Sequence, residues 1–108
     1  MNFLDFIFPK KCLECAKIGK YVCEECLKKV EIAGRKKVAG LNGLISAWKY
    51  RGVIRKAIIA TKYNFAFDVA NELAVYFSRQ LRIWEASFKN SVLVPIPLHP
   101  SRKRYRGF

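Results

Sequence analysis

Cys12-Leu-Glu-Cys15 and, after seven intervening residues, Cys23-Glu-Glu-Cys26 form the stretch whose reading decides how this chain folds. Each C-x2-C pair can form a knuckle, a tight turn that aims two sulfurs at one point. Two knuckles supply the four soft ligands of a tetrahedral metal site, with Zn–S bonds of ~2.3 Å if the ion is zinc. Seven residues is a short bridge between the pairs, but a hairpin containing Gly19 can span it. Lys10, Lys11, Lys17 and Lys20 surround the quartet and would offset the negative charge of a metal tetrathiolate. With Cys12, Cys15, Cys23 and Cys26 filling all four positions, no ligand site stays open for water. The expected role is therefore structural, with binding energy acting as folding energy. Two disulfides, an iron site of the same geometry and unliganded thiols are the alternatives.

Outward from the quartet, the chain has 108 residues, enough for one domain or for a small module and part of a second. A hydrophobic content of 52% and an aromatic content of 14% allow a core and exclude a disordered tail. Lys and Arg number 21 against 8 Asp and Glu, a formal charge of +13. Such an excess favours a polyanionic partner (nucleic acid, a phosphorylated metabolite or an anionic membrane surface), although charge can also serve solubility alone. The longest apolar stretches, Ala57–Ala60 and Ser91–Leu98, fall far short of the roughly 20 residues of a membrane span. The apolar N-terminus, Met1 to Pro9, carries Asp5 and lacks the basic region of a signal peptide. The chain therefore reads as cytoplasmic, a reducing setting that disfavours disulfides.

The hydrophobic pattern predicts a helical turn over residues 2–8, stopped by Pro9, and a short helix over Glu24–Val30. Residues 31–40 read as a linker or weak strand with a basic cluster, and Leu44–Tyr50 as a strand. After Gly52, the i, i+3/i+4 spacing at 53, 54, 57, 58 and 61 predicts an amphipathic helix over Val53–Tyr63. A longer helix is predicted from Phe67 to about Phe88, with Val69, Leu73, Tyr76, Phe77, Leu81 and Trp84 as its buried stripe. Ser91–Leu98 reads as a fully buried strand ending at prolines, and His99–Phe108 as a basic loop.

That loop places Arg102, Arg104, Arg106 and Gly107 just beyond a strand's carboxyl end, where open α/β sheets hold ligands. Guanidinium forks and free amides there suit phosphate, the alternative being a solvated turn. Trp48, Tyr50 and Tyr63 alternate with Lys49, Arg51 and Lys62, as in single-strand binders that stack bases on rings. Aromatics packed in the core beneath outward-reaching lysines are the commoner cause of that pattern. The lone histidine, His99, has no sequence neighbour that would make it a catalyst. No Walker or G-x-G-x-x-G loop is present.

Phe3-Leu-Asp-Phe-Ile-Phe-Pro9, the cysteine quartet, Trp48-Lys-Tyr-Arg-Gly52, Ala60-Thr-Lys-Tyr63 and Val94-Pro-Ile-Pro-Leu-His-Pro100, followed by Arg104-Tyr-Arg-Gly-Phe108, together resemble the ComF family. Members join an N-terminal zinc finger to a type I phosphoribosyltransferase-like α/β domain and are associated with DNA uptake in natural competence. The resemblance implies a finger over residues 1–32, with the four cysteines as ligands of a structural zinc. It implies an incomplete α/β segment over 33–108, in which Val94–Leu98 is the first core strand. Arg102–Phe108 would begin the flexible loop over phosphoribosyl pyrophosphate. The family's acidic, Gly/Thr-rich phosphate loop has no counterpart here, so the chain reads as a truncated N-terminal fragment. Phosphoribosyl pyrophosphate and magnesium would then bind only in a full-length parent, and no transfer is expected of this chain alone. Single-stranded DNA and competence-machinery proteins are the expected partners. A free-standing zinc-finger module that binds nucleic acid or protein without catalysis is the alternative.

Overall fold

The cysteine stretch is followed along the chain by a two-stranded ribbon and a pair of helices. The structure, a computed structural model, describes residues 3–64 and 66–107. Helix α1 spans Phe3–Ile7 and has no buried residue. The finger follows, with α2 spanning Glu24–Lys28. Strands β1 (Ile32–Val38) and β2 (Leu41–Trp48) form an antiparallel ribbon, and α3 (Gly52–Tyr63) and α4 (Phe67–Leu81) pack together after it.

The ribbon pairs Ile32 with Trp48, Gly34 with Ser46 and Lys36 with Leu44, and the register slips between Lys36 and Val38 at the approach to the turn. Gly40 makes that turn with φ of 80°, a conformation that favours glycine. A two-stranded ribbon is marginal alone. This one is anchored at its base, where Ala47 is buried and Trp48 tilts against Phe77 of α4, ring centroids 6.1 Å apart. The weak strand expected over 31–40 is thus a full partner strand.

Helix α3 matches its predicted range to within one residue. It buries Val53, Ile54, Ala57 and Ala60, the spacing of a single helical stripe. Helix α4 buries Val69 and Tyr76, with Leu73 packed against the same cluster. It ends at Leu81, seven residues before the predicted limit. Arg82–Phe88 continues as a 3₁₀ segment kinked at Trp84 (φ −109°, ψ 15°). Of the expected stripe, Phe77 is 43% exposed and Leu81 and Trp84 are half-buried.

The expectations for residues 91–107 need correcting, while Phe108, the end of the expected basic loop, lies outside the described residues. Residues 91–99 form no strand, and Val92, Leu93, Val94 and Ile96 are 82–93% exposed. Pro95 and Pro97 remove two backbone donors, and no neighbouring strand lies within the described residues. The basic loop is instead helix α5, Pro100–Arg106. Its ends carry the appropriate signals: His99 caps the N-terminus by accepting from the Ser101 N–H, Pro100 occupies the first turn, and Gly107 closes the helix at φ 80°.

One hydrophobic cluster joins Cys12, Val22, Cys23 and Cys26 to Val53, Ile54, Ala57, Val69 and Tyr76. It runs across the expected division at residue 32, so the finger and helices α3 and α4 share a core. Ala57, a member of this cluster, is fully buried. Ala57→Leu is expected to cost about 1–3 kcal/mol through overpacking. This would be read as a lower urea midpoint with an unchanged slope.

Candidate metal centre

The quartet is assembled by backbone hydrogen bonds. After the first knuckle, Ala16 takes a left-handed conformation (φ 61°) and donates to the Cys12 carbonyl at 2.9 Å, while Cys12 donates to Lys17 O at 2.8 Å. Gly19, at φ 126°, returns the chain so that its N–H meets Lys10 O at 2.8 Å, and Leu13 N–H meets Tyr21 O at 2.9 Å. This is the hairpin that the seven-residue spacing requires. Cys23 then caps α2, its Sγ accepting from Cys26 N–H at 3.4 Å, with Glu24 and Glu25 in the favourable first turn.

The four Sγ atoms lie within 4.8 Å of one another, and Cys15 Sγ and Cys23 Sγ are 3.6 Å apart. A tetrahedron with ~2.3 Å metal–sulfur bonds has sulfur–sulfur edges near ~3.8 Å, so the cluster fits a four-coordinate ion. A disulfide needs ~2.05 Å, and all four cysteines are free. The cluster can therefore hold a metal ion, as the spacing predicts. Cys12, Cys23 and Cys26 are buried and Cys15 is exposed. With no position left for water, such a site staples structure and does not activate a substrate.

The thiols differ in how readily they ionise. Burial resists charge on Cys12, but the backbone amides of Cys15, Cys23 and Glu14 and the Cys23 thiol outweigh it, holding Cys12 down at about 6. Cys26, hydrogen-bonded to Cys23 and buried, is pushed up to about 12. A metal must therefore displace protons from this cluster to bind.

Around the site, sequence reasoning missed the residues that brace it. Glu72 of α4 accepts from the Val22 N–H at 3.0 Å and the Tyr21 N–H at 3.3 Å, gripping the backbone just before Cys23. Tyr76, one turn along, donates its hydroxyl to Val22 O at 3.0 Å and receives Lys20 Nζ at 3.4 Å. Both lie four residues apart on a predicted helix, so an acid and a tyrosine on an otherwise apolar face were the available signal. Lys17 pairs with Glu25 at 2.8 Å, Lys20 with Glu24 at 3.2 Å and Lys10 with Asp68 at 3.8 Å, so three of the four expected finger lysines are engaged by carboxylates. The Lys17 pair holds the Glu25 carboxyl below its ordinary range.

No family model, curated protein or solved structure matches the chain. Its site is read from its own geometry.

The other expected site residues are not gathered at this centre. Arg102, Arg104 and Gly107 lie exposed on or after α5, whereas Arg106 is buried with its guanidinium 5.7 Å from the centre of the Tyr63 ring. Arg106 thus has a packing role, and the flexible loop expected there is helical. Trp48 is half-buried at the ribbon base, while Tyr50 and Tyr63 are 55% exposed.

Three outcomes are expected. Metal retention should fall as pH drops, because protons compete for the thiolates, and Cys23→Ser should abolish retention and unfold the finger. Elemental analysis after dialysis across pH, with circular dichroism, reads both. Glu72→Ala should weaken metal affinity about tenfold or more by freeing the knuckle backbone, measured by competition with a chromogenic chelator.

Proposed function

We propose that this chain is a zinc-stapled basic module that binds single-stranded DNA and forms the N-terminal part of a ComF-type, phosphoribosyltransferase-like protein acting in DNA uptake. The observation that carries the binding role is the distribution of charge. The ion pairs of the described residues gather around the finger and the ribbon base: Lys10–Asp68, Lys17–Glu25, Lys20–Glu24, Lys56–Glu14, and Lys49 and Arg51 with Glu31. Most acids are used there. Arg35, Lys36 and Lys37 on the ribbon and Arg102, Lys103 and Arg104 on α5 are exposed and enter none of these pairs. Cations left without carboxylates suit a phosphate backbone. Zinc is the ion that four thiolates in a closed tetrahedron suit best.

The finer, enzyme-like reading rests on the family resemblance. The exposure of Val92, Leu93, Val94 and Ile96 supports it, since this is the stretch that a phosphoribosyltransferase-like sheet would pair and cover. In that setting Arg102 and Arg104 are the groups free to meet phosphoribosyl pyrophosphate and magnesium-bound phosphates, with Arg106 retained as a packing residue.

Titration of a fluorescein-labelled oligothymidylate with the zinc-loaded chain at several salt concentrations tests the binding role. The expected result is a linear fall of log affinity with log salt, with a slope of about −0.7 per phosphate engaged. A flat slope, or no binding at low salt, overturns it.

A further inference from the structure

Between the ribbon and the 3₁₀ segment lies an open cleft of about 580 Å³, within the range of about 300–1,000 Å³ typical of small-ligand sites. Its aromatic lining comes from Phe77, Trp84 and Phe88, and Asn42 and Ser87 add neutral polar groups. Arg35 forms part of its wall. A side chain at Gly43 would meet Arg35 Nε at 3.3 Å, so the arginine lies across the opposite strand at the one place where the absent Cβ leaves it room. No acidic residue lines the cleft, and Arg35 makes no ion pair among the described residues. The sole carboxylate on the 3₁₀ segment, Glu85, is not part of the lining. Lys36 and Lys37 extend the positive charge along β1, and both are exposed.

Rings beside an unpaired guanidinium, without a competing carboxylate, match two features of an unpaired nucleotide: a flat base with a π-face and a phosphate. Stacking tolerates any base, and arginine supplies the backbone contact. We propose that this cleft is where the chain holds a single-stranded nucleic acid, one unpaired base entering beside Trp84 and Phe88 while Arg35 meets the adjoining phosphate. The β1 lysines then track the strand as it leaves. This deepens the single-strand-binding reading and rests on it. A double helix, whose bases are stacked inside, cannot place a base there.

The test uses the full zinc-loaded chain and a fluorescein-labelled oligothymidylate. Trp84→Ala is expected to weaken binding roughly tenfold or more, the scale of one lost stacking contact. Arg35→Ala should weaken it several-fold and reduce the salt slope by about 0.7. Lys62→Ala removes the same charge from α3, outside the cleft, and should do less than Arg35→Ala. Because Trp84→Ala could disturb folding, Trp48→Phe leaves Trp84 as the sole tryptophan, and its emission should be quenched on saturation. A hairpin duplex of equal charge should leave that emission unchanged. Wild-type binding with all variants equal and Trp84 emission unmoved would overturn the cleft while leaving the general reading in place. Absence of wild-type binding would overturn both.

Discussion

Glu72 reaches from the middle of α4 to the two amides that precede the second knuckle, and much of the architecture follows from that contact. A metal bound by the quartet would fix the finger's internal shape but not its place on the helices. By accepting from Tyr21 and Val22, with Tyr76 donating to the carbonyl of Val22, α4 fixes the position of the finger as well as its internal shape. Val22 is fully buried as a result, and its side chain joins those of Val53, Ala57 and Val69 in one cluster. Hydrogen bonds from a carboxylate to backbone amides are among the stronger polar contacts, because a charged acceptor meets donors that would otherwise be stranded.

The parts legible in sequence were those with a short-range cause. The cysteine spacing dictates two knuckles joined by a tight hairpin, and Gly19 supplies its return. Helix α3 shows an unambiguous stripe. The parts that were not legible depend on partners. Ile32–Val38 contains two adjacent lysines and a glycine, weak strand formers, and becomes a strand because β2 pairs with it from Ile32–Trp48 to Lys36–Leu44 before the register slips. Val92–Leu98 has strand composition, but among the described residues no neighbouring strand rewards its extension. Helix α5 was hidden by its charge, although His99-Pro100 and Gly107 bracket it with ordinary start and stop signals. Nothing in the spacing of Glu72 and Tyr76 could say that their target was the backbone of a finger fifty residues away.

Charge is divided along the same lines. Carboxylates are concentrated where lysines crowd the thiolates and the ribbon base, so they relieve repulsion within the folded core. Among the described residues, the exposed cations of the ribbon's upper part and of α5 enter no ion pair. Arg106 is the exception, its guanidinium turned inward over Tyr63, where an aromatic face stands in for a counter-ion.

The ribbon has a consequence for solubility. With only two strands, β1 and β2 each leave one edge of backbone donors and acceptors unpaired among the described residues. Such edges invite pairing with another copy of the chain and lead towards aggregation. Arg35, Lys36 and Lys37 sit on one of them, and their mutual repulsion between molecules guards it. The residues that give the ribbon its positive face are thus also its protection against self-association, and neutralising their charge would leave that edge open.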